Sequence, residues 1–452
     1  MDTMPPIARV AARLRAGEIS SVELVREALA RAADTAGEGA RVFTRLYLDA
    51  VDSAAEQDRL CAGGEVASPL AGIPISIKDL FDVAGETTLA GSKALAGYPP
   101  AARDAEVVAR LKRAGAVIIG KTNMTEFAFS GLGLNPHFGT PRNPWDRARG
   151  RIPGGSSSGA AVSVTDGMAV AAIGTDTGGS VRIPAALCGL VGFKPTAARV
   201  PREGVLPLSW TLDSVGPIAP SVACCALLDA VLADEKVEEL KSVPLSSLRF
   251  AAPQRYVLDG MDVDVASAFE RAKSRLATAG AQIVEIAFAE LEELPEINAK
   301  GGFSAAEAWA WHKDLIAARG NLYDPRVLTR ILRGKDISAE DVETLRQRHA
   351  DLISRARQVT AGFDALVMPT VPVVAPKIAP LEASDDTYHR TNLLVLRNTA
   401  VANFLDRCAL SLPCSEAGQP PVGLMLMGEH GTDRRLLGIG LSVEKVLSQI
   451  VN

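Results

Sequence analysis

Between about residues 70 and 220 the chain repeats one sequence pattern, a short apolar run bounded by glycine or proline. Four of these runs are AGIPISIKDLFDVAG, AGAVIIGKTN, GMAVAAIGTDTGGS and CGLVGFKPT. Runs of this length are typical of buried strands, and residues 104–113 between two of them have a helical pattern. This pattern predicts a mixed α/β sheet whose strands lead directly into glycine-rich turns. The functional sites of such sheets usually lie at these turns.

The segments on either side of that core have different sequence patterns. Residues 7–34 have the pattern of two helices, and the second starts at Ser20 with Glu23 three positions later, which is a capping box. Charged amphipathic helix dominates residues 235–365, and apolar runs return in FDALVMPTVPVVAP, ALSLPC and PVGLMLMG before a closing helix at 433–449. We therefore predict one domain over residues 1–452, made of a helical cap at 7–60, a core at 70–220, a variable helical layer at 235–365 and a C-terminal part of the core sheet at 366–452.

Composition and charge exclude several classes of partner. The 48 basic and 53 acidic side chains give a net charge of -5 without a basic cluster, so no nucleic acid partner is expected. No apolar run approaches the roughly 20 residues that a membrane span needs, and the first residues lack the apolar centre of a signal peptide. We expect a cytoplasmic protein with no membrane partner.

The cysteines are scattered along the chain without C-x-x-C spacing. This distribution argues against a zinc site and against a disulfide framework. It fits buried thiols in a reducing compartment. The six residues are Cys61, Cys188, Cys224, Cys225, Cys408 and Cys414.

Histidine is the usual base for a serine nucleophile, and the chain has five: His137, His312, His349, His389 and His430. His312 and His349 fall on amphipathic helices, where we expect solvated or half-buried surface positions. The other three lie in loops with polar neighbours. No histidine is a strong candidate for a catalytic base. A serine nucleophile in this chain needs another base.

Lys78 is the candidate for that base, because GIPISIKDLFDV places it inside an otherwise apolar strand. An unpaired buried ammonium is unfavourable, so burial lowers the pKa of a lysine and favours the neutral amine, which can accept a proton. The alternative is a structural lysine that pairs with Asp79 or reaches the surface.

The turn in AIGTDTGGSVRIPAALCG can bring backbone amides together beside a hydroxyl. An apolar strand stops at Gly174, and Gly178 and Gly179 allow a tight bend immediately before Ser180. Convergent N–H groups beside an exposed hydroxyl are what an acyl-transfer oxyanion requires. Glycine-rich turns without any chemistry are also common, so the turn alone leaves both interpretations open.

RIPGGSSSGAAVSV, residues 151–164, has three consecutive serines before a run of small apolar residues. Ser156 between Lys78 and Ser180 could relay a proton, while Ser157 and Ser158 occupy and cap a helix start. Two alternatives are that all three serines only cap the helix, or that they bind a phosphate at its N-terminus. The chain lacks the G-x-x-x-x-G-K-[ST] loop of nucleotide-binding proteins, which argues against a kinase-like role.

Taken together, these segments resemble the amidase signature family. PGGSSSGAA followed by GTDTGGSVRIPAALCGLVGFKPT resembles the segment that defines the family, and PLAGIPISIKDLFDVAGETTLAGS resembles its lysine-bearing strand. AGAVIIGKTNMTEFAFSG, MPTVPVVAP, NTAVANFLDRCALSLP and PVGLMLMG are similar to other parts of the family. The resemblance implies an α/β fold with a large mixed β-sheet core flanked by helices on both faces.

Carried over position by position, the resemblance implies a Ser-Ser-Lys triad of nucleophile Ser180, bridging serine Ser156 and base Lys78. It also implies three further sets of residues. The oxyanion hole would use the amides of Thr177, Gly178, Gly179 and Ser180; the supporting residues would be Ser157, Asp176 and Arg182; the substrate pocket would contain Met124, Phe129, Ser130, Gly131 and Trp210. No cofactor and no metal are implied.

The expected function is that of an amidase that hydrolyses the C–N bond of a small aryl or alkyl amide through an acyl-enzyme. Relatives with the same machinery cleave carbamates, ureas and esters. The alternative is the glutaminase (A-type) subunit of a tRNA-dependent amidotransferase complex. NFLDRC at residues 403–408 replaces that branch's N-L-x-G-L-P, and Leu396 stands where its ammonium-reading acidic residue would align. These differences favour a free-standing enzyme whose partner is a small-molecule amide, with a homodimer left open.

Overall fold

One mixed sheet runs through the computed structural model, which describes residues 4–448. Within that range the sheet has eleven strands in the spatial order β1-β3-β2-β4-β6-β5-β10-β11-β9-β7-β8. The strands are β1 Phe43–Leu46, β2 Pro74–Lys78, β3 Val117–Thr122, β4 Ala171–Asp176, β5 Val191–Lys194, β6 Ser214–Ala219, β7 Arg249–Pro253, β8 Gln282–Ile286, β9 Ala365–Pro369, β10 Ala409–Pro413 and β11 Gly423–Met427.

Helices connect and cover the strands. They are α1 Ile7–Arg15, α2 Ser21–Ala33, α3 Gly39–Val42, α4 Ala50–Ala62, α5 Glu106–Arg113, α6 Ser158–Thr165, α7 Arg182–Cys188, α8 Val222–Leu232, α9 Val263–Thr278, α10 Leu294–Ile297, α11 Gly302–Arg319, α12 Pro325–Leu332, α13 Ala339–Thr360, α14 Ile378–Ala383, α15 Asp385–Phe404 and α16 Asp433–Ser448. No helix within residues 4–448 is long and apolar enough to cross a membrane.

The sheet mixes both strand directions. β2 is parallel to β3 and β4, and β7 is parallel to β8 and β9, whereas β6, β10 and β11 pair antiparallel with their neighbours. Every residue of β2, β3 and β4 is buried. Strands buried on both faces lack polar alternation, which is why the apolar runs of the sequence predicted them. The predicted α/β fold with a mixed sheet is confirmed.

Successive side chains of a central strand enter different apolar clusters. Ala171 and Ile173 of β4 belong to the cluster that also contains Leu228 of α8. Ala172 belongs to a second cluster that contains Ala160 of α6. Because neighbouring side chains on a strand point to opposite faces, helices cover the sheet on both sides.

The predicted N-terminal helix pair is present as α1 and α2. The Ser20 hydroxyl accepts a hydrogen bond from the Glu23 amide at 3.1 Å, and the Glu23 carboxylate accepts one from the Ser20 amide at 2.8 Å. This confirms the capping box. The closing helix is α16, and the predicted helix end at residue 449 lies outside the described range, as do residues 1–3 and 450–452 of the predicted segments.

Four strands were missed by the sequence prediction: β1, β6, β7 and β8. β6 is fully buried, but its sequence SVGPIA contains a glycine and a proline, which are uncommon inside strands. β1 and β8 are the two edges of the sheet, and both are only partly buried. Edge strands need no continuous apolar run, so their residues did not stand out from the helical sequence around them. β7 is buried but only five residues long, and it lies with β8 inside the stretch 235–365 that was predicted as helical. The division of the chain into cap, core and helical layer stays a prediction.

Candidate active site

Lys78 is the last residue of β2, and its side chain is fully buried. Its Nζ donates hydrogen bonds to Ser156 Oγ at 2.7 Å and to Thr175 Oγ1 at 2.8 Å. Asp79, the partner proposed in the structural alternative, instead lies 3.9 Å from Lys121. Lys78 therefore neither pairs with Asp79 nor reaches the surface; it contacts two hydroxyls inside the protein.

Burial decides the charge of this amine. Burial lowers the pKa of Lys78 to about 7, against the attraction of the Asp213 and Asp176 carboxylates, which raises it. At neutral pH a substantial fraction of Lys78 is thus uncharged and can accept a proton. The hydroxyls within hydrogen-bond distance of this amine are those of Ser156 and Thr175.

Ser156 lies in a turn whose backbone is held by neighbouring segments. The peptide bond between Gly155 and Ser156 is cis. The Gly155 amide donates to Gly131 O at 2.8 Å, and Ser156 O accepts from the Thr125 amide at 3.0 Å. These hydrogen bonds leave the Ser156 side chain directed to Lys78 instead of to the helix start.

The adjacent serines do not cap α6 through their side chains. Ser157 occupies the N-cap position, but its hydroxyl donates to Thr175 O at 3.5 Å, and no side-chain cap bond is present. The Ser158 hydroxyl donates to Asn123 O at 3.4 Å. The expectation that Ser157 and Ser158 cap the helix is therefore wrong, because the hydroxyls find carbonyl acceptors on neighbouring segments.

Asp176 organises the turn that carries Ser180. Its carboxylate accepts hydrogen bonds from the amides of Gly179 at 2.8 Å and Val181 at 3.1 Å, and it pairs with the fully buried Arg182 guanidinium at 2.9 Å. Burial raises the pKa of this carboxyl, but the charge and hydrogen bonds of Arg182 outweigh burial and lower it to about 2. The turn is thereby folded around a permanent negative charge.

The predicted oxyanion-hole amides are not equivalent in this turn. The Gly179 amide donates to Asp176, whereas those of Thr177, Gly178 and Ser180 donate to no acceptor within residues 4–448. Gly179 has φ +132°, and a Cβ there would overlap Thr399 Oγ1. Only glycine fits this position.

Ser180 follows this bend and is only 3% exposed. It lines a cavity of about 140 Å³ together with Thr177 and Gly178. The Ser157 amide donates to Ser180 O at 3.4 Å, which joins the two serine-bearing turns. No hydrogen bond joins the hydroxyls of Ser156 and Ser180 in the described structure. Catalytic hydrogen bonds are often loose before substrate binds.

Two of the five predicted substrate-pocket residues line this cavity, Phe129 and Ser130. Met124 is fully buried elsewhere, and the Gly131 amide donates to Asn392 Oδ1 at 2.8 Å. Trp210 is 47% exposed and lies outside the cavity.

Three residues of the site were missed from the sequence. Thr175, the second partner of Lys78, lies within the quoted motif GTDTGGS but was given no role. Arg330 and Arg333 line the Ser180 cavity from α12 and the turn after it. Both arginines belong to the stretch predicted as a peripheral helical layer. The sequence around Arg330 gave no signal that separates it from a solvated arginine, because its helix also contains Arg326 and is followed by Arg333.

The cavity adjoins a larger one of about 630 Å³, with Thr177, Gly178 and Leu396 contributing to both walls. Leu393 and Phe404 of α15 line the larger cavity. Ser180 thus lines the smaller of two adjoining cavities.

No histidine lines the Ser180 cavity. His312 is fully buried, not half-exposed as its helix pattern suggested, because Phe127 and Tyr323 pack around it. Burial lowers the pKa of His312 to about 3. Within residues 4–448 no group of three or more metal-ligating side chains could hold a metal ion, and the cysteines are unbonded thiols.

Comparison with known proteins links this geometry to a family. The family model described as Amidase matches residues 23–437. The chain is 38% identical over 460 residues to 2-amino-5-chloromuconic acid deaminase of Comamonas testosteroni, covering 98% of this chain and 96% of the relative. It is 35% identical over 475 residues to the A-type subunit of the glutamyl-tRNA(Gln) amidotransferase of Chloroflexus aggregans, covering 96% and 94%. A crystal structure of an amidase superposes with a TM-score of 0.88 at 32% identity, covering 98% of this chain and 100% of that one.

Proposed function

Because the chain belongs to the amidase signature family and is a hydrolase of amide C–N bonds, we propose that it cleaves a small amide through a triad of Ser180, Ser156 and Lys78. The observation that carries this proposal is the buried 2.7 Å hydrogen bond from Lys78 Nζ to Ser156 Oγ. A lysine whose pKa burial lowers to about 7 can act as a base near neutrality.

In the first step, Ser180 Oγ attacks the amide carbonyl carbon. Its proton passes to Ser156 Oγ, and the Ser156 proton passes to Lys78 Nζ, which becomes an ammonium. The carbonyl oxygen becomes an oxyanion. The amides of Thr177, Gly178 and Ser180 have no other acceptor within residues 4–448 and would donate to it, and one such donor contributes about 10²–10³ in rate.

In the second step, the C–N bond breaks and the leaving amine needs a proton. Lys78 returns its proton through Ser156 to the nitrogen, because an amine anion is too poor a leaving group to depart unprotonated. The product is an ester of the acyl group with Ser180. Water attacks this ester and gives its proton to Lys78; Lys78 then returns a proton to Ser180 Oγ as the C–O bond breaks, and the carboxylic acid leaves.

A glutaminase subunit of a tRNA-dependent amidotransferase is the second candidate, since relatives of that name match nearly the whole chain. A residue on the cavity wall argues against it. Leu396, aligned with the acidic residue that reads the glutamine ammonium in that branch, lines the Ser180 cavity and offers no charge. A self-sufficient hydrolase therefore fits the site better. Carbamates and esters are further substrates that the same acyl-enzyme route admits.

The experiment that tests the proposal is amide hydrolysis by the purified chain alone. A panel of primary amides, anilides and carbamates should give amine or ammonia release, and Ser180→Ala should abolish it. Ser242→Ala, at an exposed loop position, is the matched control and should match wild type. A chain that is inactive alone but active when co-purified partners are restored would favour the role in an amidotransferase complex instead.

We also propose a cellular location and an oligomeric state, neither of which changes the proposed reaction. The unbonded cysteine thiols are consistent with a reducing compartment, and we place the enzyme in the cytoplasm on that ground. A homodimer stays a proposal that a sedimentation experiment would decide.

A further inference from the structure

A guanidinium without a counter-ion faces the cavity that contains Ser180. Arg330 of α12 lines this cavity, and its buried Nε has no hydrogen-bond partner. Within residues 4–448 the side chain makes no ion pair. Its guanidinium instead lies over the Phe129 ring in a cation–π contact, with Cζ 4.7 Å from the ring centre. The positive charge beside the reacting hydroxyl is thus uncompensated by the protein.

Arg330 is partly buried, and the two arginines that are buried within residues 4–448 are both paired. Arg182 pairs with Asp176, and Arg407 pairs with Glu429 at 2.9 Å. Buried charges normally have such partners because an unpaired one is costly to desolvate. Burial lowers the pKa of Arg330, and the nearby positive charge of Arg333 acts in the same direction. An anion bound in the cavity would relieve both effects.

A second polar group, directly behind the cavity wall, also lacks a partner. The Ser130 hydroxyl, on the wall, and the Gly131 amide both donate to Asn392 Oδ1, which determines the orientation of that amide group. The Asn392 Nδ2 is left buried without an acceptor, although Asn392 itself does not line the cavity. The donor on the wall that a carboxylate would satisfy is therefore the Arg330 guanidinium.

The charges of the lining residues also disfavour ligands that have an ammonium group. Arg330 and Arg333 line the cavity, and no aspartate or glutamate does. A substrate ammonium group would meet two positive charges and no negative one. The cavity therefore favours an anionic ligand over a zwitterionic one.

We propose, resting on the function proposed above, that the substrate is a primary monoamide of a short dicarboxylic acid, with its free carboxylate bound by Arg330 and no ammonium group. The guanidinium fork suits bidentate binding of a carboxylate. Ammonia as the leaving group needs little room, so a volume of about 140 Å³ can hold the acyl chain. Hydrolysis of such an amide by water gives the dicarboxylate and ammonia.

Three amides that differ by one group test the proposal. Glutaramate has the carboxylate, pentanamide replaces it with a methyl group, and L-glutamine adds an α-ammonium group. We expect kcat/KM for ammonia release by the purified chain to be at least about 100-fold higher for glutaramate than for either of the others. The unpaired Arg330 guanidinium attracts the carboxylate of glutaramate, gains nothing from a methyl group and repels an ammonium group. Succinamate and adipamate would determine the preferred length.

The variant Arg330→Met should collapse the ratio of kcat/KM for glutaramate over pentanamide to within about 5-fold, and Arg330→Lys should restore part of it. The matched control is Arg346→Met, which removes an exposed arginine paired with Glu343 at 3.8 Å and should leave the ratio unchanged. Labelling of Ser180 by a fluorophosphonate shows that the Arg330 variants are folded.

The outcomes separate this inference from the proposed function. Wild-type protein that hydrolyses pentanamide or glutamine as well as glutaramate overturns the carboxylate inference and leaves the amidase function in place. A glutaramate preference that survives Arg330→Met also overturns it. Failure to hydrolyse any amide, with Ser180 unlabelled, overturns both.

Discussion

Lys78 Nζ lies 2.7 Å from Ser156 Oγ at a depth where neither side chain is exposed to solvent. One residue ends a central strand, and the other precedes the helix that packs on the same sheet. In the proposed mechanism this contact gives the buried amine its role, because the hydroxyl would carry a proton between Lys78 and Ser180. The predictions below follow from the charge of that amine and from the turn that presents Ser180.

The acid limb of the pH profile should report Lys78. We expect kcat/KM to fall as pH falls below about 7, because the protonated amine cannot act as a base. The Asp213 carboxylate raises the pKa of Lys78, so Asp213→Asn should move this limb to lower pH. The exposed Asp386→Asn is the control. A limb that stays in place, or moves to higher pH, would show that another group titrates.

Stability should depend on pH through the same group. Because the folded pKa of Lys78 is lowered to about 7, the unfolded chain binds more protons above that pH, and the free energy of unfolding rises with pH toward the ordinary pKa of lysine. The difference in unfolding free energy between wild type and Lys78→Met should increase between pH 7 and 10 by up to about 1.4 kcal/mol per pH unit. Urea denaturation over that range measures it.

The control for this measurement is Lys93→Met, at an exposed position, whose difference from wild type should be flat over the same pH range. A flat difference for Lys78→Met as well would mean that the amine is charged in the folded protein up to its ordinary pKa, contrary to the proposed mechanism.

Adjacent glycines in the Ser180 turn should respond differently to alanine. Gly179→Ala places a Cβ against Thr399 Oγ1 at φ +132°, and we expect it to lower the free energy of unfolding by about 3 kcal/mol. Gly178→Ala meets only Leu396, at 3.5 Å, and should change it by less than about 1 kcal/mol. Urea denaturation of the two variants measures both changes. Equal losses would contradict the geometry of the turn.

The sequence was most informative where burial removes polar alternation. β2, β3 and β4 are buried throughout, so their apolar runs and the turns after them were visible, including Lys78 and Ser180. Edge strands such as β8 could not be recognised in the sequence. A half-exposed strand has no continuous apolar run, so its residues resemble those of the surrounding helices.

The charged part of the site was also missed, for a different reason. Arg330 lies on a helix with charged neighbours, and periodicity alone cannot tell a solvated arginine from one turned toward a cavity. The same limit applies to His312, where tertiary packing buries a residue that its helix pattern placed near the surface. The expectation of an aryl or alkyl amide came from apolar loop residues and stays a prediction, whereas the acidic amide proposed above rests on the two arginines that line the cavity.

If a neutral Lys78 activates Ser180 through Ser156, the rate at which a fluorophosphonate labels Ser180 must depend on that amine. We expect labelling of Ser180 alone, with a rate that rises with pH through about 7 and is at least about 10³-fold slower in Lys78→Met. Labelling of a different serine, or an unchanged rate in Lys78→Met, would contradict it.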